Sequence, residues 1–168
     1  MICFRRFRLV VLLFLFICTA GCDQASKHLA RTVLTESQAT VLPGGFIELR
    51  LAQNPGAFLS LGGALPKQTR AAFIGLIAVG LAGLATWLLM APTFNCLSFF
   101  SLGIVWAGGT SNLIDRFAFQ GSVTDFIFVH LGPFHTGIFN VADLAVVAGI
   151  ALFCFSARPR TGTSEASK

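Results

Sequence analysis

The twenty residues from Ala71 to Met90 carry no charged side chain. At about 1.5 Å of helical rise per residue, such a run reaches across the roughly 30 Å hydrocarbon core of a bilayer. Inside that core an unpaired backbone N–H or C=O costs several kcal/mol, and a helix pairs nearly all of its own within one segment. The run is therefore expected to be a transmembrane helix. Composition extends this to the whole chain: of 168 residues 55% are hydrophobic and 11% charged, where a soluble domain carries about 25% charged.

Three more runs fit the same reading. Arg5, Arg6 and Arg8 precede Leu9 to Cys22, a stretch too short to span unless its helix continues past Asp23 toward Lys27. A basic start, a short apolar run and Thr19-Ala20-Gly21-Cys22 also describe a lipoprotein signal peptide with Cys22 lipidated. An uncleaved first helix is the preferred reading because further spans follow. On it, Lys27 can snorkel at the outer end, and Asp23, Gln24, Ser26 and Lys27 can all face a site. Leu97 to Ile114 and Thr136 to Ala157 are the third and fourth spans, and Pro92 forces a tight reversal before the third. Gly75, Gly80 and Gly83 on the second span, and Gly103, Gly108 and Gly109 on the third, would permit close helix contacts.

Between the first two spans, Pro43-Gly44-Gly45 signals a turn, and Ile47, Leu49 and Leu51 then alternate with Glu48 and Arg50 as in a half-buried strand. Phe117 to His135 reads as a loop with a second turn at Gly132-Pro133. The expected fold is a mostly α membrane protein. It is a four-transmembrane-helix bundle (helices about 8–27, 71–90, 97–115 and 137–156) with a small extracytoplasmic β element within about 28–67. One domain covers 1–157, and 158–168 form a disordered cytoplasmic tail.

Four spans put both termini on one side. Arg5, Arg6 and Arg8, packed against a span end, argue that this side is the cytoplasm, although Lys27, Arg31, Arg50, Lys67, Arg70 and Arg116 lie opposite. The net charge of +5 is spread over scattered or terminal residues and forms no stripe beside exposed aromatics, which argues against a nucleic-acid partner. Cys3, Cys18, Cys22, Cys96 and Cys154 have no CxxC spacing and are read as small hydrophobes without disulfide or metal.

All four aspartates, Asp23, Asp115, Asp125 and Asp143, lie in or beside apolar sequence. A carboxylate at the centre of a membrane helix costs about 2.5–3.5 kcal/mol, so such positions point to chemistry or transport. Asn112, Asp115 and Arg116 stand at i, i+3 and i+4, and Asn140 and Asp143 at i, i+3. An interfacial ion pair would account for Asp115 with Arg116, and a helix dipole for Asp143 alone. Neither accounts for nine groups at one depth: Asp23, Lys27, Asn54, Asn112, Asp115, Arg116, Asp125, Asn140 and Asp143. In Asn54-Pro55-Gly56 the turn leaves the Asn54 amide free to bond outside its own backbone. His28, His130 and His135 fall in loops without a triad pattern.

Five blocks carry a resemblance. Asp23-Gln24-Ala25-Ser26-Lys27, Asn54-Pro55-Gly56-Ala57-Phe58, Gly108 through Arg116, Val123-Thr124-Asp125-Phe126 and Phe139-Asn140-Val141-Ala142-Asp143, in this order, resemble lipoprotein signal peptidase (signal peptidase II). The resemblance covers Arg5 to about Phe155. It implies an aspartyl endopeptidase of the bacterial inner membrane that cuts prolipoproteins before the diacylglyceryl-modified cysteine. Asp125 and Asp143 would be its catalytic pair, and Asp23, Lys27, Asn54, Gly56, Asn112, Asp115, Arg116 and Asn140 its supporting residues. It implies no cofactor and no metal, and prolipoprotein and lipid partners; a monomer is the default expectation. At these positions the blocks show no departure from the family pattern; Leu59-Ser60 and Gln120 to Ser122 are less regular. Physically, two carboxylates held close share one proton, so one can activate water while the other hydrogen-bonds the scissile carbonyl. An ion-coupled transporter is disfavoured by the crowding of acids at one face and the lack of an inverted repeat. A Cys22-anchored lipoprotein is disfavoured by the later spans, and a metal-dependent phosphotransferase would be exposed by chelation.

Overall fold

Helix α1 (Ile2–Val33) continues well past Lys27, where the sequence reading ends it. The extension is held by a polar stripe: Asp23, Lys27 and Arg31 recur every four residues on one face, and all three bond other elements of the protein. The fold is seen in a computed structural model that describes residues 2–56, 65–91 and 95–156. The link around Pro92, the Ala57 to Ser60 continuation of the asparagine block and the 158–168 tail lie outside the described residues.

Helices α2 (Lys67–Met90) and α3 (Cys96–Ala118), together with α1 from Arg5, are long and apolar enough to cross a membrane. Helix α4 (Val141–Ser156) is apolar but has 16 residues, about 24 Å of rise. It starts later than the 137 expected because the preceding residues are committed elsewhere. Thr136 N–H donates to Val129 O (2.9 Å), and Phe139 exchanges backbone bonds with Ile127 (2.9 Å each way).

Helix α3 packs against all three others. A Cβ on its Gly103 would lie 2.7 Å from Leu15 Cδ1, and one on Gly108 would lie 2.7 Å from Ala142 O. Gly149 of α4 is as tight, 2.7 Å from Ser101 O. The expectation for Gly75, Gly80 and Gly83 fails: nothing lies within 4 Å of the corresponding positions. Those glycines face outward on a helix that is itself mostly exposed, beside Phe73, Leu76 and Val79.

At one end of the bundle Leu12, Leu88 and Phe99 form an apolar core, with Leu84, Leu102 and Trp106 packed on it. Arg8, one of the three charges at the start of α1, is buried there. Its guanidinium donates to the Leu88 (3.2 Å) and Ala91 carbonyls at the end of α2, where the helix dipole favours a cation.

The other end carries an antiparallel sheet in the order β1 (Thr40–Val41), β2 (Ile47–Asn54), β3 (Val123–Leu131), β4 (Phe134–His135). The sheet is larger than the element expected between α1 and α2, and the segment read as a loop contributes its longest strand. The β-branched and aromatic residues of VTDFIFVHL explain why it is extended. Asn54 pairs with Val123 and Ile47 with Val129, with an irregularity between Leu49 and Ala52. Asp125 therefore stands on a strand, and the histidines are not in loops either: His28 is in α1, His130 in β3 and His135 in β4. His130 Nε2 lies 3.0 Å from Glu48 Oε2, and Arg50 lies 2.6 Å from Oε1. The bonds from His130 and then Arg50 hold the Glu48 carboxyl below its usual range.

Candidate active site

Fully buried large side chains in this protein are mostly polar. Lys27, Asn140, Thr124, Asp23, Asp115, Asp125, Ser101 and Ser111 are among them, while Leu13, Phe14, Ile17, Phe73 and Leu76 are exposed. Seven of these eight, all but Ser101, meet where the C-terminal part of α1, the end of α3, the start of α4 and strand β3 converge.

Lys27 does not snorkel. Its side chain is 0% exposed, with Nζ 2.7 Å from Asp23 Oδ2, 3.2 Å from Asp115 Oδ2 and 2.9 Å from Asn112 Oδ1. Each carboxylate has other donors. Asp23 accepts from Ser111 Oγ (2.7 Å) and from the Ala142 N–H at the start of α4 (2.9 Å), where a helix favours negative charge. Asp115 accepts from Gln24 Nε2 (2.8 Å) and from the Thr124 N–H (3.0 Å). Lys27 thus fastens α1 to α3, Asp23 fastens α1 to α4, and Asp115 fastens α3 to β3.

Asn140 precedes the first helical residue of α4, and Asp143 is the third. Asn140 Oδ1 accepts from the Asp143 N–H (2.9 Å), while Asp143 Oδ2 accepts from the Asn140 N–H (3.3 Å). This is a capping box with aspartate in the place usually held by Glu or Gln. It also orients the amide: with Oδ1 committed to the helix, Nδ2 faces Asp125 Oδ1 (2.6 Å) and Asn112 Oδ1 (3.1 Å).

Two other asparagines work the same way. Asn54 Oδ1 accepts from the Gly56 N–H (2.9 Å), turning Nδ2 to Asp125 Oδ2 (2.8 Å). Asn112 Oδ1 accepts from Lys27, turning Nδ2 to Asp143 Oδ1 (2.8 Å). Both carboxylates are therefore met by amide donors whose direction is set from behind. Asp125 is 1% and Asp143 9% exposed, so both are buried and Asp143 is the less enclosed of the two.

Burial raises the Asp125 carboxyl from 3.8 to about 6. The Asn54 amide opposes that rise, the charge of Asp143 adds to it, and the Asn140 amide and Lys27 oppose it. A carboxyl poised near 6 beside a second carboxylate can hold or release a proton near neutrality.

Arg116 does not pair with Asp115. Its guanidinium donates to Asn112 O (3.1 Å) and Gly56 O (2.9 Å), fixing the turn after Asn54. All ten residues singled out from the sequence thus fall in one connected cluster. Ser26 does not join it, since its hydroxyl bonds back to Asp23 O (2.8 Å). Reasoning from sequence left out Ser111, Thr124 and Arg31. The four-residue spacing of Asp23, Lys27 and Arg31 was a usable signal for the last; nothing local distinguishes Ser111 from other helix serines. Among the described residues, no three His, Cys, Asp or Glu side chains are arranged to hold a metal ion.

The family model described as signal peptidase (SPase) II matches residues 15–158. Among similar curated proteins, the lipoprotein signal peptidase of Desulforapulum autotrophicum is 36% identical over 135 residues, covering 79% of this chain and 82% of that one. The lipoprotein signal peptidase of Beijerinckia indica is 35% identical over 136 residues, covering 80% of each. A solved structure described as a bacterial membrane enzyme superposes with a TM-score of 0.75 at 22% identity, covering 92% of this chain and 94% of that one. At that identity the superposition speaks for the fold.

Proposed function

We propose, from the premise that this chain belongs to the signal peptidase II family, that Asp125 and Asp143 are the catalytic pair with which it removes signal peptides from prolipoproteins. The observation that carries the assignment is the Asn140 bridge, which touches both carboxylates. The pair holds one proton. The ionised carboxylate takes a proton from water as its oxygen attacks the scissile carbonyl carbon, and the protonated one hydrogen-bonds the carbonyl oxygen. Collapse of the tetrahedral adduct breaks the C–N bond, and a proton passes from the dyad to the leaving amine. Because the two carboxyls titrate as a unit, the roles belong to the pair. Asp23, Lys27, Asn112, Asp115 and Asn140 hold its geometry, and Asn54, Gly56 and Arg116 shape the turn beside it.

The cut falls before the diacylglyceryl-modified cysteine. The enzyme is a multi-pass membrane protein of the bacterial inner membrane, with both termini cytoplasmic and the site at the extracytoplasmic face. There the apolar stretch and acyl chains of the substrate already partition into lipid. It acts as a monomer in contact with membrane lipids, without cofactor or metal, and 1–157 function as one domain.

Purified protein, a diacylglyceryl-modified prolipoprotein peptide and the variants Asp125→Asn and Asp143→Asn test this. Cleavage before the lipidated cysteine, unchanged by EDTA and abolished in both variants, is expected. Retained cleavage in Asp143→Asn refutes the dyad, and EDTA sensitivity refutes metal-free hydrolysis.

A further inference from the structure

The catalytic assignment leaves unexplained a contact on the far side of strand β3. Side chains alternate along a strand, so Asp125 and its neighbour Thr124 point to opposite faces. Thr124 is 0% exposed. Its Oγ1 accepts from Arg31 Nη1 (2.9 Å), a residue of α1, and more weakly from Gln53 Nε2 (3.3 Å), its cross-strand partner in β2. Its N–H donates to Asp115 Oδ2 (3.0 Å). Arg31 is itself fixed, its guanidinium carbon 4.7 Å from the centre of the Phe119 ring. On the other side of Asp125, the Phe126 N–H donates to Phe139 O (3.0 Å). Asp125 is thus bracketed: Phe126 is tied to the lead-in of α4, and Thr124 is tied at its backbone to α3 and at its side chain to α1.

We infer that Thr124 and Arg31 are positioning residues for Asp125, clamping the strand from behind so that its carboxyl meets Asn54 and Asn140 in the reactive geometry. The inference rests on Asp125 being catalytic. Neither side chain bonds Asp125 or Asp143, so the clamp is expected to act on turnover and not on substrate capture. A displacement of about 1 Å at a reacting group can cost on the order of a hundredfold in rate, and loss of one of several anchors is expected to cost about tenfold.

The test uses the full-length protein in detergent micelles and the diacylglyceryl-modified prolipoprotein peptide. Thr124→Val keeps the shape and removes the oxygen; Thr124→Ser restores it; Arg31→Met removes the donor. The expected result is a kcat about tenfold lower in Thr124→Val with KM within about twofold, recovery toward the parent value in Thr124→Ser, and a similar fall in Arg31→Met. The double variant should be no slower than the slower single one, because both break one contact. Parent kcat in both single variants, effects that multiply in the double, or a change confined to KM overturns the inference. Should Thr124→Val fail to fold, Arg31→Met with parent kcat is sufficient to overturn it. Cleavage by the parent and none by Asp125→Asn keep the catalytic reading standing in all those cases. A parent that leaves the peptide intact brings down that reading and the clamp with it.

Discussion

Replacing Lys27 with Met isolates the electrostatic role of one buried cation. In the parent, Nζ has three partners, Asp23 and Asp115 at 2.7 and 3.2 Å and Asn112 at 2.9 Å. Removing it orphans none of them. Asp23 keeps Ser111 and the Ala142 N–H, Asp115 keeps Gln24 and the Thr124 N–H, and Asn112 Oδ1 keeps Asn140. What changes is charge: two buried carboxylates lose the only ion-pair partner either has among the described residues. Breaking a buried pair from one side costs about 3–5 kcal/mol. For a chain of this size each kcal/mol moves the unfolding midpoint by about 2–4 °C, so a fall on the order of 10 °C is expected. Thermal unfolding in detergent micelles measures it. The second variant, Asp23→Asn with Lys27→Met, removes the surplus charge and keeps an oxygen for the Ala142 N–H, so it should recover part of the loss. A Lys27→Met midpoint within a few degrees of the parent, or a double variant less stable than the single one, would refute the electrostatic account.

Asn54→Ala removes a donor that opposes the rise of the Asp125 carboxyl. The acid group in the pH–rate profile should then titrate higher than in the parent, whichever protonation state is active; an unmoved or lowered limb contradicts this. Gly149→Ala would place a methyl carbon 2.7 Å from Ser101 O and from Val105 Cγ2. Over-packing of this kind costs about 1–3 kcal/mol, so a lower unfolding midpoint is expected, whereas Gly80→Ala, facing open space inside a helix, should leave the midpoint no lower than the parent's. Arg8→Met should lower the midpoint through loss of its bonds to the end of α2 while leaving kcat at the parent value.

The membrane helices were legible because the constraint is local: a charge-free run in lipid has one good solution. The cluster was legible because its members sit at helix-face spacings in recognisable blocks. Strand β3 was not. Its partners lie about seventy residues away, Asn54 against Val123, and no local pattern encodes that pairing; turn residues at Gly132-Pro133 made the whole segment look irregular. Glycines misled for a related reason. Gly80 and Gly108 look alike in sequence, and only packing decides that one faces open space and the other meets Ala142. Lys27 was rightly placed among the supporting residues, but it does not snorkel: that rule describes a lysine without partners, and this one has two carboxylates in reach.

The three oriented asparagines have a consequence for the conditions under which the site works. Asp125 and Asp143 are stabilised chiefly by amide dipoles pinned by a buried ammonium and by backbone N–H groups. Mobile ions screen exposed charges over about 8–10 Å at physiological ionic strength but do not enter such a cluster. The proton affinity of the pair therefore depends little on whether the surroundings are dilute or concentrated, and added salt should shift it far less than it would shift an exposed pair of carboxylates.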